Sequence, residues 1–253
     1  VEPAERFGTR TYSYGDCVVT VGERVPRPPV GARATLLFLH GRFAPASSWL
    51  PVADRLSDRY RCVLVDFAEA GASSFQRLGG LTSSLAATLG DLPRVAVGED
   101  TGAALAQLCA LEAEARLDGL VLLNAASPAE PLPALFSRPL ARLRALFSRS
   151  GGVRSAAQAL EESWPGFHER RAWTEALSGY RRPVLLLWGR TDPLALPERA
   201  ARLARIFPES EHFEYETVER SLATEAPEWT AAKMRAFLFG IETLTSGRRS
   251  LSR

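Results

Sequence analysis

Short, unbroken apolar runs punctuate the chain at Ala34–Leu39, Cys62–Phe67, Val95–Val97, Leu120–Leu123 and Val184–Trp188. Each is bounded by turn-forming residues, the pattern of strands buried on both faces of a parallel sheet. Between most of them the apolar positions take helical spacing, as in Ser48–Leu56, Leu81–Leu89 and Ala103–Ala115. Strand alternating with helix predicts an α/β fold with right-handed crossovers. Upstream, residues 10–25 read as two extended segments joined by a turn at Tyr14-Gly15-Asp16, with Pro-rich Val25–Gly31 as a connector. Downstream, a last strand is expected over Glu211–Val218. A helix from Pro227 follows, with Met234, Phe237, Leu238 and Ile241 on one face.

One stretch breaks the rhythm. From Pro128 to about Arg182 the pattern is helical throughout, amphipathic over Leu132–Phe147 and again over Ser155–Trp164. Ordinary crossover helices are one reading. A lid over a site better explains so long an insertion between two strands. The expected organisation is a core of residues 1–127 and 183–245, a helical lid over 128–182, and a disordered tail over 246–253.

Composition narrows the class. The 253 residues are 46% apolar and 24% charged with a net charge of +2, as in a soluble globular protein of one large or two small domains. No polybasic block marks a nucleic-acid surface, and the apolar runs are too short to span a bilayer. Lys233 is the single lysine, so arginine supplies the rest of the 31 basic residues, read first as codon bias. The cysteines Cys17, Cys62 and Cys109 are odd in number and lack C-x-x-C spacing, which argues against a disulfide framework and a zinc site. No signal-peptide pattern opens the chain, and Val1 in first place is expected to be a trimmed start. The default compartment is the reducing cytoplasm. A small-molecule substrate is the expected partner, with no nucleic acid and no membrane, and a homodimer left open.

The sharpest local feature is Arg94-Val-Ala-Val-Gly98-Glu99-Asp100-Thr101-Gly102-Ala103-Ala104, a short apolar strand running through G-x-D-x-G directly into a helix. This is a nucleophile elbow with aspartate where serine usually stands. A tight strand-to-helix turn forces unusual dihedrals on its central residue and needs small neighbours. Asp100 then stands at a helix N-terminus, where negative charge is stabilised. A second segment, Leu36–Leu39 followed by His40-Gly41-Arg42, ends a buried strand in a polar loop. The backbone N–H groups of Arg42 and Thr101 are the expected oxyanion-stabilising pair. His40 reads as a structural histidine of that loop.

With these residues the chain resembles the α/β-hydrolase superfamily over nearly its whole length. The matching segments are the His40-Gly41 loop, Asp66-Phe-Ala-Glu-Ala-Gly71-Ala-Ser73, the elbow, Trp188-Gly-Arg-Thr-Asp192-Pro and Glu225-Ala-Pro-Glu228. Aspartate at the elbow is similar to the haloalkane dehalogenase and epoxide hydrolase branch. There the carboxylate attacks carbon to form an ester, and water activated by histidine hydrolyses it. The resemblance gives Asp192 the place of the acid that orients this histidine. A plain helix N-cap before Pro193 is the equally weighted alternative.

The histidine itself is missing from its usual place. Five residues before Glu225 stands Arg220, and Glu216-Thr-Val-Glu-Arg220-Ser-Leu-Ala-Thr224 contains no histidine. His212 reads as an exposed strand residue and His168 as a surface or packing residue of the lid. Guanidinium keeps its proton at neutral pH and cannot act as a general base. Arg220 would pair with Asp100 or Asp192 without activating water.

Three functions stay open. The first is non-hydrolytic chemistry at Asp100, such as cyclisation, isomerisation, dehydration or a lyase reaction. The second is a hydrolase whose base is Glu219, Glu225, His168 or another residue. The third is a binding protein without turnover. Trp164, Phe167, His168 and Trp173 are the candidate substrate-binding residues, with Tyr180 a further aromatic in pocket or lid core. No metal or organic cofactor is implied, and no phosphate-loop pattern occurs.

Overall fold

The apolar runs become strands. In the computed structural model, which describes residues 8–15, 17–26, 31–41, 44–67, 70, 74–127, 167–192, 197–218 and 221–251, they are Gly8–Tyr14 (β1), Cys17–Arg24 (β2), Thr35–Leu39 (β3) and Arg61–Asp66 (β4). Arg94–Glu99 (β5), Gly119–Leu123 (β6), Val184–Gly189 (β7) and Ser210–Tyr215 (β8) follow. They form one sheet in the order β1-β2-β4-β3-β5-β6-β7-β8. β1 and β2 make an antiparallel hairpin closed at Tyr14↔Cys17, and β2 adds antiparallel to β4. All later pairings are parallel.

Unbroken apolar strands are what a sheet covered on both faces requires, because consecutive side chains point to opposite faces. Leu36 and Phe38 of β3 join one core with Trp49, Val52, Leu56, Met234 and Leu238. Leu37 and Leu39 join the other with Leu78, Leu81, Leu105 and Leu108. Leu185 and Leu187 of β7 go to the first face, Leu186 and Trp188 to the second. Each such side chain, fully buried, contributes roughly 1.5–3 kcal/mol.

The helices that cover these faces are Leu50–Leu56 (α1), Phe75–Ala87 (α2), Thr101–Leu111 (α3), Phe167–Ser178 (α4) and Pro197–Ile206 (α5). The short Leu222–Glu225 (α6) and the long Pro227–Leu251 (α7) follow, the last helices among the described residues. Met234, Phe237, Leu238 and Ile241 of α7 are all buried, as their spacing predicts.

Several boundaries differ from expectation for physical reasons. α2 starts at Phe75, six residues before the expected Leu81, because Ser74 caps it by accepting the Arg77 N–H. The Gly79-Gly80 pair hid that turn, since glycine is a poor helix former. The segment expected as one helix from Ser48 opens as a 3-10 turn over Ala46–Trp49 before α1. α3 ends at Leu111, and a 3-10 turn over Ala113–Ala115 closes with Arg116 at φ 48°. β8 stops at Tyr215, and Val218 is instead buried in the loop beyond it. The tail expected to be disordered from 246 continues α7 as far as Leu251. Glu242 accepts from Arg59 Nη2 at 2.6 Å and Tyr60 Oη at 2.8 Å, which holds that helix down near its end.

Of the span expected as a lid, only its last part is described: α4 carries Leu177 into the core, with Trp173 and Tyr180 packed against the same cluster. Residues 128–166 lie outside the described residues.

Candidate active site

β5 delivers the elbow. All six of its residues are buried, and Asp100 follows at φ 51°, ψ −119°, with α3 starting at Thr101. Positive φ on a non-glycine residue costs about 1–3 kcal/mol and persists only where the surroundings impose it. Here they do. The Asp100 N–H donates to Leu123 O at 3.1 Å, and its carbonyl accepts from Ala103 N–H at 3.2 Å and Ala126 N–H at 3.1 Å. A Cβ at Gly98 would collide with the Gly102 carbonyl, and one at Gly102 with the carbonyls of Leu39 and His40. Only glycine lets β5, α3 and the end of β3 close on one another, as the motif predicts.

The loop after β3 lies against the same carboxylate. A Cβ built on Gly41 would stand 3.0 Å from Asp100 Cβ and 3.4 Å from Oδ2. His40 holds the loop from below: its Nδ1–H donates to Gly41 O at 2.8 Å, and Nε2 accepts the Phe67 N–H at 3.0 Å. Those two bonds specify the neutral ring. Burial lowers its pKa below 6.5, against the Gly41 bond and the Asp66 charge, whose Oδ1 is 3.7 Å from Nε2. The structural reading of His40 accords with this geometry. Thr101 is buried at the first position of α3, where backbone N–H groups have no carbonyl one turn earlier. Arg42 lies outside the described residues.

Asp192 is buried behind the end of β7, and Asn124 holds it. Asn124, itself at φ 40° after β6, donates from Nδ2 to Asp192 Oδ2 at 3.0 Å and accepts the Gly189 N–H at 2.8 Å. The ends of β6 and β7 are thus tied through one amide. The chain leaving β6 is tied to the elbow as well. Gln107 donates to Ala126 O at 2.9 Å and accepts from Ser127 Oγ at 2.8 Å, all buried.

The segment expected to carry a histidine is anchored on both sides. Thr191 Oγ1 donates to Val218 O at 2.7 Å, and Val218 packs on Gly189. On the other side Ser221 Oγ donates to Glu99 Oε2 at 2.7 Å, and Leu222 N–H donates to Glu99 Oε1 at 2.8 Å. Glu219 and Arg220, between these anchors, lie outside the described residues. Burial pushes the Glu99 carboxyl up to about 8, opposed by the bonds from Ser221 and Leu222 and helped by the Asp100 charge.

The other histidines stand elsewhere. His212 is in the middle of edge strand β8, 3.8 Å from Glu214, and His168 is exposed in the first turn of α4. Trp173 is half-buried against the core, while Trp164 and the Phe167 side chain lie outside the described residues. Among the described residues no cluster of His, Cys, Asp and Glu could hold a metal ion, and no helix is long and apolar enough to cross a membrane. Glu99, Asn124, Ser221 and Gln107 were not singled out in the sequence. Glu99 alone carried a signal, as an acidic residue ending an apolar strand.

A mostly parallel sheet that presents a strained residue on a strand-to-helix elbow, beside a loop from the neighbouring strand, defines the α/β-hydrolase architecture. The chain belongs to the Alpha/beta hydrolase family, whose profile matches residues 36–235. Among curated proteins nothing matches it. Solved structures do resemble it. A carboxylesterase from Bacillus subtilis is 17% identical, with 92% of each chain covered and a TM-score of 0.70. A haloalkane dehalogenase from Bradyrhizobium elkani is 17% identical, covering 94% of this chain and 99% of the other, at 0.72. An E-2-(acetamidomethylene)succinate hydrolase is 18% identical, over 92% and 99%, at 0.69. At such identities the likeness is one of fold.

Proposed function

We propose that the protein is an enzyme that acts on a small, mostly apolar molecule through the Asp100 carboxylate, in chemistry other than ester hydrolysis. A fixed carboxylate with backbone N–H groups facing a developing oxyanion can serve isomerisation, dehydration, cyclisation or a lyase reaction. The observation that carries this reading is the Asp100 backbone, held at φ 51° by contacts from β3, β6 and α3. Backbone strain of that size clusters at functional sites, which favours a working role for this carboxylate.

The positions of the three histidines support the non-hydrolytic half. His40 is committed to Gly41 and Phe67, His212 lies in mid-strand, and His168 is exposed on α4. Glu225, another candidate base, is exposed and accepts the Ser221 N–H at 2.9 Å. Arg220 offers a guanidinium where the family's histidine is expected, and this group does not shed its proton near neutral pH.

Intact-mass measurement after incubation with alkyl bromides and activated esters tests the reading. An adduct at Asp100 that persists for hours, and is absent in Asp100→Asn, is the expected result. Steady release of product with no accumulated adduct, lost in Asp100→Asn, makes the protein an ordinary hydrolase and overturns the proposal.

A further inference from the structure

We propose that Glu99 and Ser221 form a proton-transferring pair that serves a molecule bound over Asp100, protonating an oxygen that leaves carbon as the Asp100 carboxylate attacks. This rests on the reading of Asp100 as the reacting carboxylate. Glu99 adjoins Asp100 in the chain and is 6% exposed at the end of a strand otherwise built from apolar residues, Arg94 and Gly98. All its partners are neutral donors: Ser221 Oγ and the Leu222 N–H, with the Ala223 N–H beside them. Ser221 is half-buried and bonds the fully enclosed carboxyl at 2.7 Å, so this hydroxyl has both a buried acid and solvent-accessible surface. A hydroxyl can accept one proton while giving up another, which makes it a relay.

The charges facing this pair are few among the described residues. Asp100 lies on the elbow side, and Glu225 of α6 accepts the Ser221 N–H. Neither is a cation that would keep Glu99 ionised. Burial and the Asp100 charge instead push its carboxyl up to about 8, so it carries a proton at neutral pH and can release it. Two neighbouring carboxyl groups with unlike surroundings divide into an acid and a base or nucleophile.

An epoxide makes the step explicit. An Asp100 oxygen bonds to one epoxide carbon, the carbon–oxygen bond breaks, and its electron pair stays on oxygen. With Glu99 protonated, the 2.7 Å bond runs from the Glu99 carboxyl to Ser221 Oγ, which frees the hydroxyl proton. The epoxide oxygen takes that proton while Ser221 Oγ takes the one from Glu99. Asp100 ends as an ester, the epoxide oxygen as a hydroxyl and Glu99 as a carboxylate. A benzylic bromide expels bromide and needs no proton, so it reports attack by Asp100 alone.

The test compares labelling of Asp100 by styrene oxide and by benzyl bromide in the full chain, followed by intact mass and peptide mapping. Epoxide labelling of the wild type should fall about tenfold from pH 7 to pH 9 as the Glu99 acid is lost, with no such fall for the bromide. Glu99→Gln and, separately, Ser221→Ala should each lower the epoxide-to-bromide rate ratio at pH 7 at least tenfold and flatten its pH dependence. Ser221→Ala removes one half-exposed hydroxyl and leaves Glu99 its Leu222 N–H bond, a milder change that guards against misfolding of the Glu99 variant. A ratio unchanged in both variants overturns the relay while leaving Asp100 as the reacting group. No bromide labelling of Asp100 in the wild type overturns the reading of Asp100, and the relay with it.

Discussion

Asp100 is held where few side chains go, and the residues around it show what keeps it there. Gly102 meets the carbonyls of Leu39 and His40 so closely that Gly102→Ala must push β3 away from α3. We expect that variant to lose about 3 kcal/mol or more in urea unfolding, as backbone collisions in a packed core do. A loss below about 0.5 kcal/mol, the range of neutral surface changes, would refute the contact. His40 makes a second prediction, about pH. Its folded pKa lies below the ordinary 6.5, so below that pH the unfolded chain binds a proton that the folded one refuses. Stability therefore falls as pH drops below 6.5. His40→Gln should remove part of this slope, read from urea midpoints at pH 7.5 and 5.5. Glu99 gives the opposite sign. Its carboxyl ionises near 4.5 when unfolded and near 8 when folded, so it lowers stability as pH rises between those values.

At the scale of elements, the site is a set of strand ends tied by single polar side chains. Asn124 joins β6 to β7 and holds Asp192, and its amide is the described partner of both Gly189 N–H and Asp192 Oδ2. Asn124→Ala leaves a buried donor and a buried carboxylate oxygen without that amide. The expected loss is roughly 1–3 kcal/mol by chemical denaturation, with Asp192 the residue whose surroundings change. These ties also mark where the sequence stops being legible. The strands could be read because both faces of the sheet are apolar, so Leu36–Leu39 and Val184–Trp188 show no polar break. The elbow could be read because Gly98 and Gly102 are sterically required on either side of one carboxylate. Asn124 and Ser221 could not, since each acts on a residue 65 to 122 positions away and leaves no local pattern. Nor could the fate of α4, because an amphipathic helix shows one apolar face whether it packs on a sheet or covers a pocket.

At the scale of the whole molecule, five segments distant in the chain meet at the carboxyl ends of the parallel strands, where open α/β sheets place their sites. Two of them fix the loop after β8 from opposite sides: Thr191 and Gly189 hold Val218, and Glu99 holds Ser221 and Leu222. Only two residues, Glu219 and Arg220, join these anchors. If the scaffold has kept the family's arrangement and lost only the base, then Arg220→His restores what hydrolysis lacks. Imidazole there can take a proton from water near neutral pH, and Asp192, held by Asn124, can orient it. The expected outcome is that the Asp100 ester formed with benzyl bromide persists in the wild type and disappears in Arg220→His. Time-resolved intact mass should show that decay at least a hundredfold faster than in the wild type, at the low end of what a positioned general base contributes, roughly 10²–10⁴-fold. The decay should vanish again in Arg220→His combined with Asp192→Ala, which removes the orienting acid. Equal persistence of the ester in wild type and Arg220→His would mean that the fold does not present position 220 to the elbow, and that the departure from hydrolysis goes deeper than one side chain.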